Sequence, residues 1–135
     1  MAHRLSDEAE TLLVVDDDDA IRDLEVRILR QLGHKVLQAA GPLEAMRLAA
    51  ATSTIHLLLT DFLMPDANGL ELARRFRAVH PQTPVLLVSG SLEAINGRAD
   101  HLDRFEVLAK PFKSEDLVRT VQALLRDSAV TTAPG

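Results

Sequence analysis

The chain has no cysteine, no tryptophan and no tyrosine, and aromatic residues make up 3% of its 135 residues. Without cysteine there are no disulfides, thiolate metal ligands or thiol nucleophiles. The core therefore has to be built from Leu, Val, Ile and Ala with four Phe, and a hydrophobic content of 47% suffices for one ordinary domain. Basic charge is also short: 15 Lys and Arg against 20 Asp and Glu leave a formal net charge of -5. Nonspecific nucleic-acid binding displaces phosphate counterions with excess Lys and Arg, so no direct nucleic-acid contact is expected. No apolar run approaches the roughly 18 residues of a membrane span. Met1 to Glu10 has neither the basic start nor the apolar stretch of a signal peptide, which predicts a cytoplasmic protein without membrane contact. Neither G-x-G-x-x-G nor G-x-x-x-x-G-K-[ST] occurs, which removes the usual phosphate-cradling loops of dinucleotide and NTP enzymes.

What is present is an alternation, five times over, of short apolar runs with helix-like periodicity. Thr11 to Val15 reads as a buried strand, and Asp18 or Asp19 then caps a helix carrying Ile21, Leu24, Ile28 and Leu32, which Gly33 ends. Lys35 to Ala39 is a weaker second strand, and Pro42 suits the first position of a helix with Leu43, Ala45, Met46 and Ala49. His56 to Thr60 is the third strand, followed by a loop from Phe62 to Asn68 and a helix with Leu72, Phe76 and Val79 on one face. Val85 to Val88 is the fourth strand. Leu92 to Asp103 keeps a helical rhythm broken by Asn96-Gly97, which predicts a short or frayed helix. Phe105 to Ala109 is the fifth strand, and Ser114 is expected to cap a last helix that buries Leu117, Val118, Val121, Leu124 and Leu125. This βα alternation predicts an α/β fold, a doubly wound parallel sheet with helices on both faces. The boundaries expected are a mobile segment over 1–10, one domain over 11–127 and a mobile tail over 128–135.

Three of the strands stop at residues suited to Mg²⁺ or phosphate: the first at Asp16-Asp17, the third at Asp61, the fifth at Lys110-Pro111-Phe112. Parallel strands would bring these carboxylates and the ammonium to one sheet edge, where α/β proteins keep their sites. Together with Leu59-Thr60-Asp61-Phe62-Leu63-Met64-Pro65, Asn68-Gly69 and Val88-Ser89-Gly90, these motifs resemble the receiver domains of two-component response regulators, the family that includes the chemotaxis regulator. The resemblance runs from Thr11 to Arg126. It implies a flavodoxin-like five-stranded sheet in the order 2-1-3-4-5.

The same resemblance implies that Asp61 accepts a phosphoryl group, that Mg²⁺ is held by Asp17 directly, by Asp16 largely through water, by Asp61 and by the backbone carbonyl of Leu63, that Ser89 donates to a phosphoryl oxygen, and that a cis bond to Pro111 aims Lys110 into the site. A carboxylate is a weak nucleophile, so charge neutralisation rather than a general base is what it needs. The implied partners are a sensor histidine kinase or histidine phosphotransfer domain, and a downstream protein that the sequence does not name. The implied state is a monomer or weak dimer, acting as a signalling module rather than a metabolic enzyme. Two departures from the family pattern stand out: Val107 occupies the place, three residues before Lys110, where many receivers carry an aromatic, and Ala67 replaces a bulkier residue.

Two other readings compete. A receiver from the C-terminal end of a hybrid histidine kinase would have the same chemistry. A Mg²⁺-dependent phosphatase of the haloacid-dehalogenase type needs an acid two residues after its nucleophile, where this chain has Leu63. His3, His34, His56, His80 and His101 show no ligand spacing and are expected to be solvated or partly packed, and Arg74, Arg75 and Arg77 are expected to form a solvated helix face.

Overall fold

Five strands, the middle three buried along nearly their whole length, form one parallel sheet in this computed structural model, which describes residues 9–65, 67–90 and 105–132. The elements run β1 (Thr11–Val15), α1 (Asp19–Gln31), β2 (Lys35–Ala39), α2 (Pro42–Ala51), β3 (Leu57–Asp61), β4 (Leu63–Met64), β5 (Ala67–Asn68), α3 (Gly69–Val79), β6 (Val85–Ser89), β7 (Glu106–Ala109) and α4 (Ser114–Thr132). The sheet order is β2-β1-β3-β6-β7, the doubly wound order expected. Because successive strand residues face opposite ways, the core divides into two layers. Leu13, Val15, Leu58 and Leu87 pack with Ala45 and Ala49 of α2 and Leu72 and Phe76 of α3. Leu12, Val14, Leu59 and Val88 pack with Val26 and Leu29 of α1 and Leu117, Val121 and Leu125 of α4.

The helix punctuation is chemical. The Asp18 carboxylate accepts the N–H groups of Ala20 and Ile21 at 2.9 and 3.1 Å, which settles the first cap between the two candidates. Gly33, at φ 97°, takes the left-handed turn that ends α1, its N–H donating to the Arg30 carbonyl at 2.9 Å. Pro42 opens α2, and the Asn68 side chain accepts from the Glu71 N–H at 2.8 Å to cap α3.

Several expectations need correction. The fully buried residues of α1 are Glu25, Val26 and Leu29; Ile28 is half-buried against the same layer, whereas Leu24 is 52% exposed and Leu32 caps the helix from outside it. The loop from Phe62 to Asn68 contains a short antiparallel hairpin in which Leu63 pairs with Asn68 and Met64 with Ala67. Ser114 is the first helical residue of α4 rather than its cap; Asp116 reaches back to accept the Lys113 N–H at 3.1 Å. That helix runs to Thr132. The helix expected over 92–103 and the segment 1–8 lie outside the described residues. No described helix is long and apolar enough to cross a membrane.

Candidate functional site

The sheet order reverses direction after β2, so β1 and β3 lie side by side with their C-terminal ends diverging into helices on opposite faces. Such a switch point leaves an open crevice. Val15 pairs with Thr60, which sets Asp16 beside Asp61 at that edge. One carboxylate oxygen from each of Asp16, Asp17 and Asp61 lies within 4.8 Å of the others. On the far side, β6 carries β7, Ser89 pairing with Ala109, and the Lys110 N–H donates to the Ser89 carbonyl at 2.8 Å. The Lys110-Pro111 bond is cis, as the family resemblance implied. The Lys110 Nζ stands 3.2 Å from Asp61 Oδ1 and 4.0 Å from Asp16 Oδ2.

Each acid is held differently. Asp16 is buried, its Oδ1 accepting the Asp18 N–H at 2.9 Å, while its backbone carbonyl accepts from Arg22 Nη1 at 2.7 Å. Arg22 also pairs with Asp19 at 2.7 Å, so the first turn of α1 is tied to the end of β1. Asp17 is exposed. At Asp61, the Thr60 hydroxyl donates to the backbone carbonyl at 3.1 Å. Gly69 packs so close that a Cβ there would overlap that same carbonyl, and its N–H donates to the Phe62 carbonyl at 2.6 Å. Glycine is required at 69 by this approach of two backbones. Leu63 follows two residues later, its side chain 55% exposed at the start of the hairpin.

Crowding of negative charge governs the electrostatics. Burial pushes the Asp16 carboxyl above its usual range, and Asp61 and Asp17 push it further, against the Asp18 N–H and Lys110. Burial likewise raises Asp61, with Asp17 adding to it and Lys110 opposing. For Lys110 burial acts downward, but the surrounding carboxylates, Asp61 first, outweigh it and hold the ammonium more firmly charged. A cluster that prefers protons in the absence of other cations is a cluster that a divalent cation would neutralise. Mg²⁺ takes oxygen ligands from one or two carboxylates together with a phosphate oxygen, and this trio fits that demand.

The structure thus brings Asp16, Asp17, Asp61 and Lys110 together, and keeps Ser89 on the same edge through the backbone of Lys110. Two residues at the site were not singled out from sequence: Arg22, which secures Asp16, and Glu25, buried on α1. Both lie on the face of α1 beside the one that periodicity marks through Ile21, Leu24 and Ile28, so no apolar pattern points to them. Arg77, expected on a solvated face, is docked, and His80, one of the histidines expected to be solvated or partly packed, is buried. Arg77 donates through Nε to the Thr83 carbonyl at 3.1 Å and lies 4.8 Å over the Phe105 ring. His80 is buried, stacked on Phe76 and bonded through Nε2 to the Ala49 carbonyl at 2.8 Å.

Residues 12–122 match the response regulator receiver domain family. The chain is 34% identical over 126 residues to the DNA-binding transcriptional regulator NtrC of Azospirillum brasilense, a match covering 93% of this chain and 26% of that protein. It is 31% identical over 115 residues to the response regulator receiver protein CpdR of Brucella abortus, covering 84% of this chain and 95% of CpdR. Among solved structures, the receiver domain of the hybrid histidine kinase CckA superposes with a TM-score of 0.73 at 32% identity, over 85% of this chain and 98% of that one. The chain therefore spans about a quarter of one of these relatives and nearly all of another.

Proposed function

Because the chain belongs to the response regulator receiver domain family, we propose that it is the phosphoacceptor of a two-component phosphorelay, taking a phosphoryl group from a kinase or phosphotransfer-domain phosphohistidine onto Asp61. The observation that carries this reading is the 3.2 Å contact of Lys110 with Asp61 inside a three-carboxylate cluster. In the transfer, an Asp61 Oδ attacks phosphorus, the O–P bond forms, and the P–N bond breaks with its electron pair returning to the imidazole nitrogen. Lys110 balances charge on the acceptor and on the phosphoryl oxygens. Ser89 is proposed to donate to one of those oxygens, and Asp16, Asp17, Asp61 and the Leu63 carbonyl to hold Mg²⁺. When bound, that ion supplies neutralising charge to the phosphoryl group. Water attack then returns Asp61 to its free form slowly, and the module signals by altering a binding surface for a downstream protein. The cytoplasm is the compartment in which such a phosphodonor would be met.

The similarity to the CckA receiver supports a second reading with the same chemistry, a receiver joined to a kinase. The haloacid-dehalogenase reading has no support at position 63. Beryllofluoride, standing in for the phosphoryl group, should perturb the amide resonances around Asp16, Asp61 and Lys110 only when Mg²⁺ is present. Identical perturbation without the metal would argue against the site.

The acyl phosphate should be long-lived for this family, because Leu63 and Ser91 occupy the two places where polar side chains would orient the attacking water; Ser91 lies outside the described residues. Leu63 is exposed beside Asp61, where it sheds water rather than binding it. Leu63→Asn should speed loss of the phosphoryl group by roughly tenfold if orientation of water limits the step. Decay as slow as in the wild type would refute this.

Signalling is further proposed not to use a rotating aromatic at 107. Val107 is half-buried on β7 opposite Leu87, and a β-branched side chain has little first-torsion freedom. The surface that changes is instead proposed to be the segment 92–103, whose Asn96-Gly97 break favours low local stability and which lies outside the described residues.

A further inference from the structure

Asp17 stands exposed on the turn from β1 into α1, and among the described residues its carboxylate has no hydrogen bond or ion pair of its own. Its place beside Asp16 and Asp61 is therefore set by its backbone. The peptide plane after Asp17 is held by its Asp18 N–H, which donates to Asp16 Oδ1 at 2.9 Å. The plane before it contains the Asp16 carbonyl, and that oxygen accepts from Arg22 Nη1 at 2.7 Å. The same guanidinium donates through Nη2 to Asp19 Oδ1 at 2.7 Å and through Nε to Gln38 Oε1 at 3.3 Å, so it ties together the end of β1, the first turn of α1 and β2.

We propose that Arg22 is a positioning residue of the metal site, fixing the Asp16-Asp17 peptide plane and through it the direction of the Asp17 carboxylate. The inference rests on Asp17 being a direct Mg²⁺ ligand, as proposed above. Of the three bonds, the one to the carbonyl does the holding. The Arg22 side chain is only 16% exposed, so water competes little for that carbonyl, and a charged donor makes the stronger kind of hydrogen bond. Asp19 is 86% exposed, so its ion pair is screened and serves mainly to orient the fork. A ligand that can swing about its backbone must be ordered when the ion arrives, and holding it beforehand removes that cost. Charge alone acts the other way. A guanidinium beside a carboxylate cluster repels Mg²⁺, so its removal would tighten binding if Arg22 were only a nearby cation. The sign of the effect separates the two roles.

Mg²⁺ titrations of the full chain, followed by amide NMR, test this. Arg22→Gln, neutral and shorter, should bind Mg²⁺ roughly tenfold more weakly than the wild type, in the range for residues acting one layer removed from a metal. Arg22→Lys keeps a charge that can meet the carbonyl but not the fork, and should recover part of the loss. Placed on Asp17→Asn, Arg22→Gln should add less than about a twofold loss, because the ligand it aims is already gone. In metal-free Arg22→Gln the ¹H–¹⁵N NOE of the Asp17 amide should fall while those of Leu13 and Val14 hold. Tighter binding by Arg22→Gln, unchanged affinity with only a lower urea midpoint, or a full further tenfold loss on Asp17→Asn would each overturn the role of Arg22 alone. A wild type that binds no Mg²⁺ would sink the proposed metal site and this inference with it.

Discussion

Glu25→Gln should stabilise the fold by roughly 3 kcal/mol at pH 7, from about 1.4 kcal/mol per unit between the pH and the unfolded-state value. The sign follows from where the proton is bound. In the unfolded chain Glu25 releases its proton near its ordinary value of 4.5, whereas in the native state it does so near 8. Below 4.5 both states carry the proton and the wild type bears no penalty. Between the two values the native state holds a proton that the unfolded state has lost, so wild-type stability falls as pH rises, and the loss is complete above about 8. Glutamine titrates in neither state. Urea unfolding at pH 4.5, 7 and 9 should show a difference near zero, then intermediate, then largest; a difference independent of pH would refute a buried, protonated Glu25.

Asp17→Asn should weaken Mg²⁺ binding by roughly 100-fold or more, and Asp16→Asn by roughly 10- to 100-fold, the range for residues acting one layer removed from a metal. The holding of the two acids supports that order. Asp16 is buried with Oδ1 committed to the Asp18 N–H and Oδ2 turned toward Lys110, while Asp17 is exposed. Titration calorimetry suits a chain without Trp or Tyr. Equal affinities in the wild type and both variants would remove the metal site.

The strand ends were legible because β1, β3 and β6 are buried on both faces, and a run of Leu and Val that can lie nowhere else stops where the chain meets water. With parallel strands, the positions of Asp16 and Asp61 follow from where β1 and β3 stop, and Lys110 from where the less buried β7 stops beside β6. Helix faces were harder to read. On α1 the apolar residues outnumber the sites that are buried, and the stripe that faces the sheet includes Glu25, so periodicity pointed to Leu24 on the wrong side. The hairpin of Leu63 and Met64 with Ala67 and Asn68 is too short to leave a period-2 pattern. The docking of Arg77 and the burial of His80 were not legible because their hydrogen-bond partners, the Thr83 and Ala49 carbonyls, are backbone groups that carry no residue-type signal. Gly69 was visible as part of a motif, but its reason, the Asp61 carbonyl against it, is a distance between backbones.

The central claim is that Asp61 is the phosphoacceptor, and the most direct measurement is to map the modification. The full chain treated with phosphoramidate or acetyl phosphate and Mg²⁺ should gain one phosphoryl group, labile as an acyl phosphate. Borohydride reduction and peptide mapping should convert that aspartyl phosphate to homoserine at position 61. Asp61→Asn, whose carboxamide has no anionic oxygen to attack phosphorus, should gain no group. A phosphoryl group mapped to any other residue, or undiminished labelling of Asp61→Asn, would contradict the account.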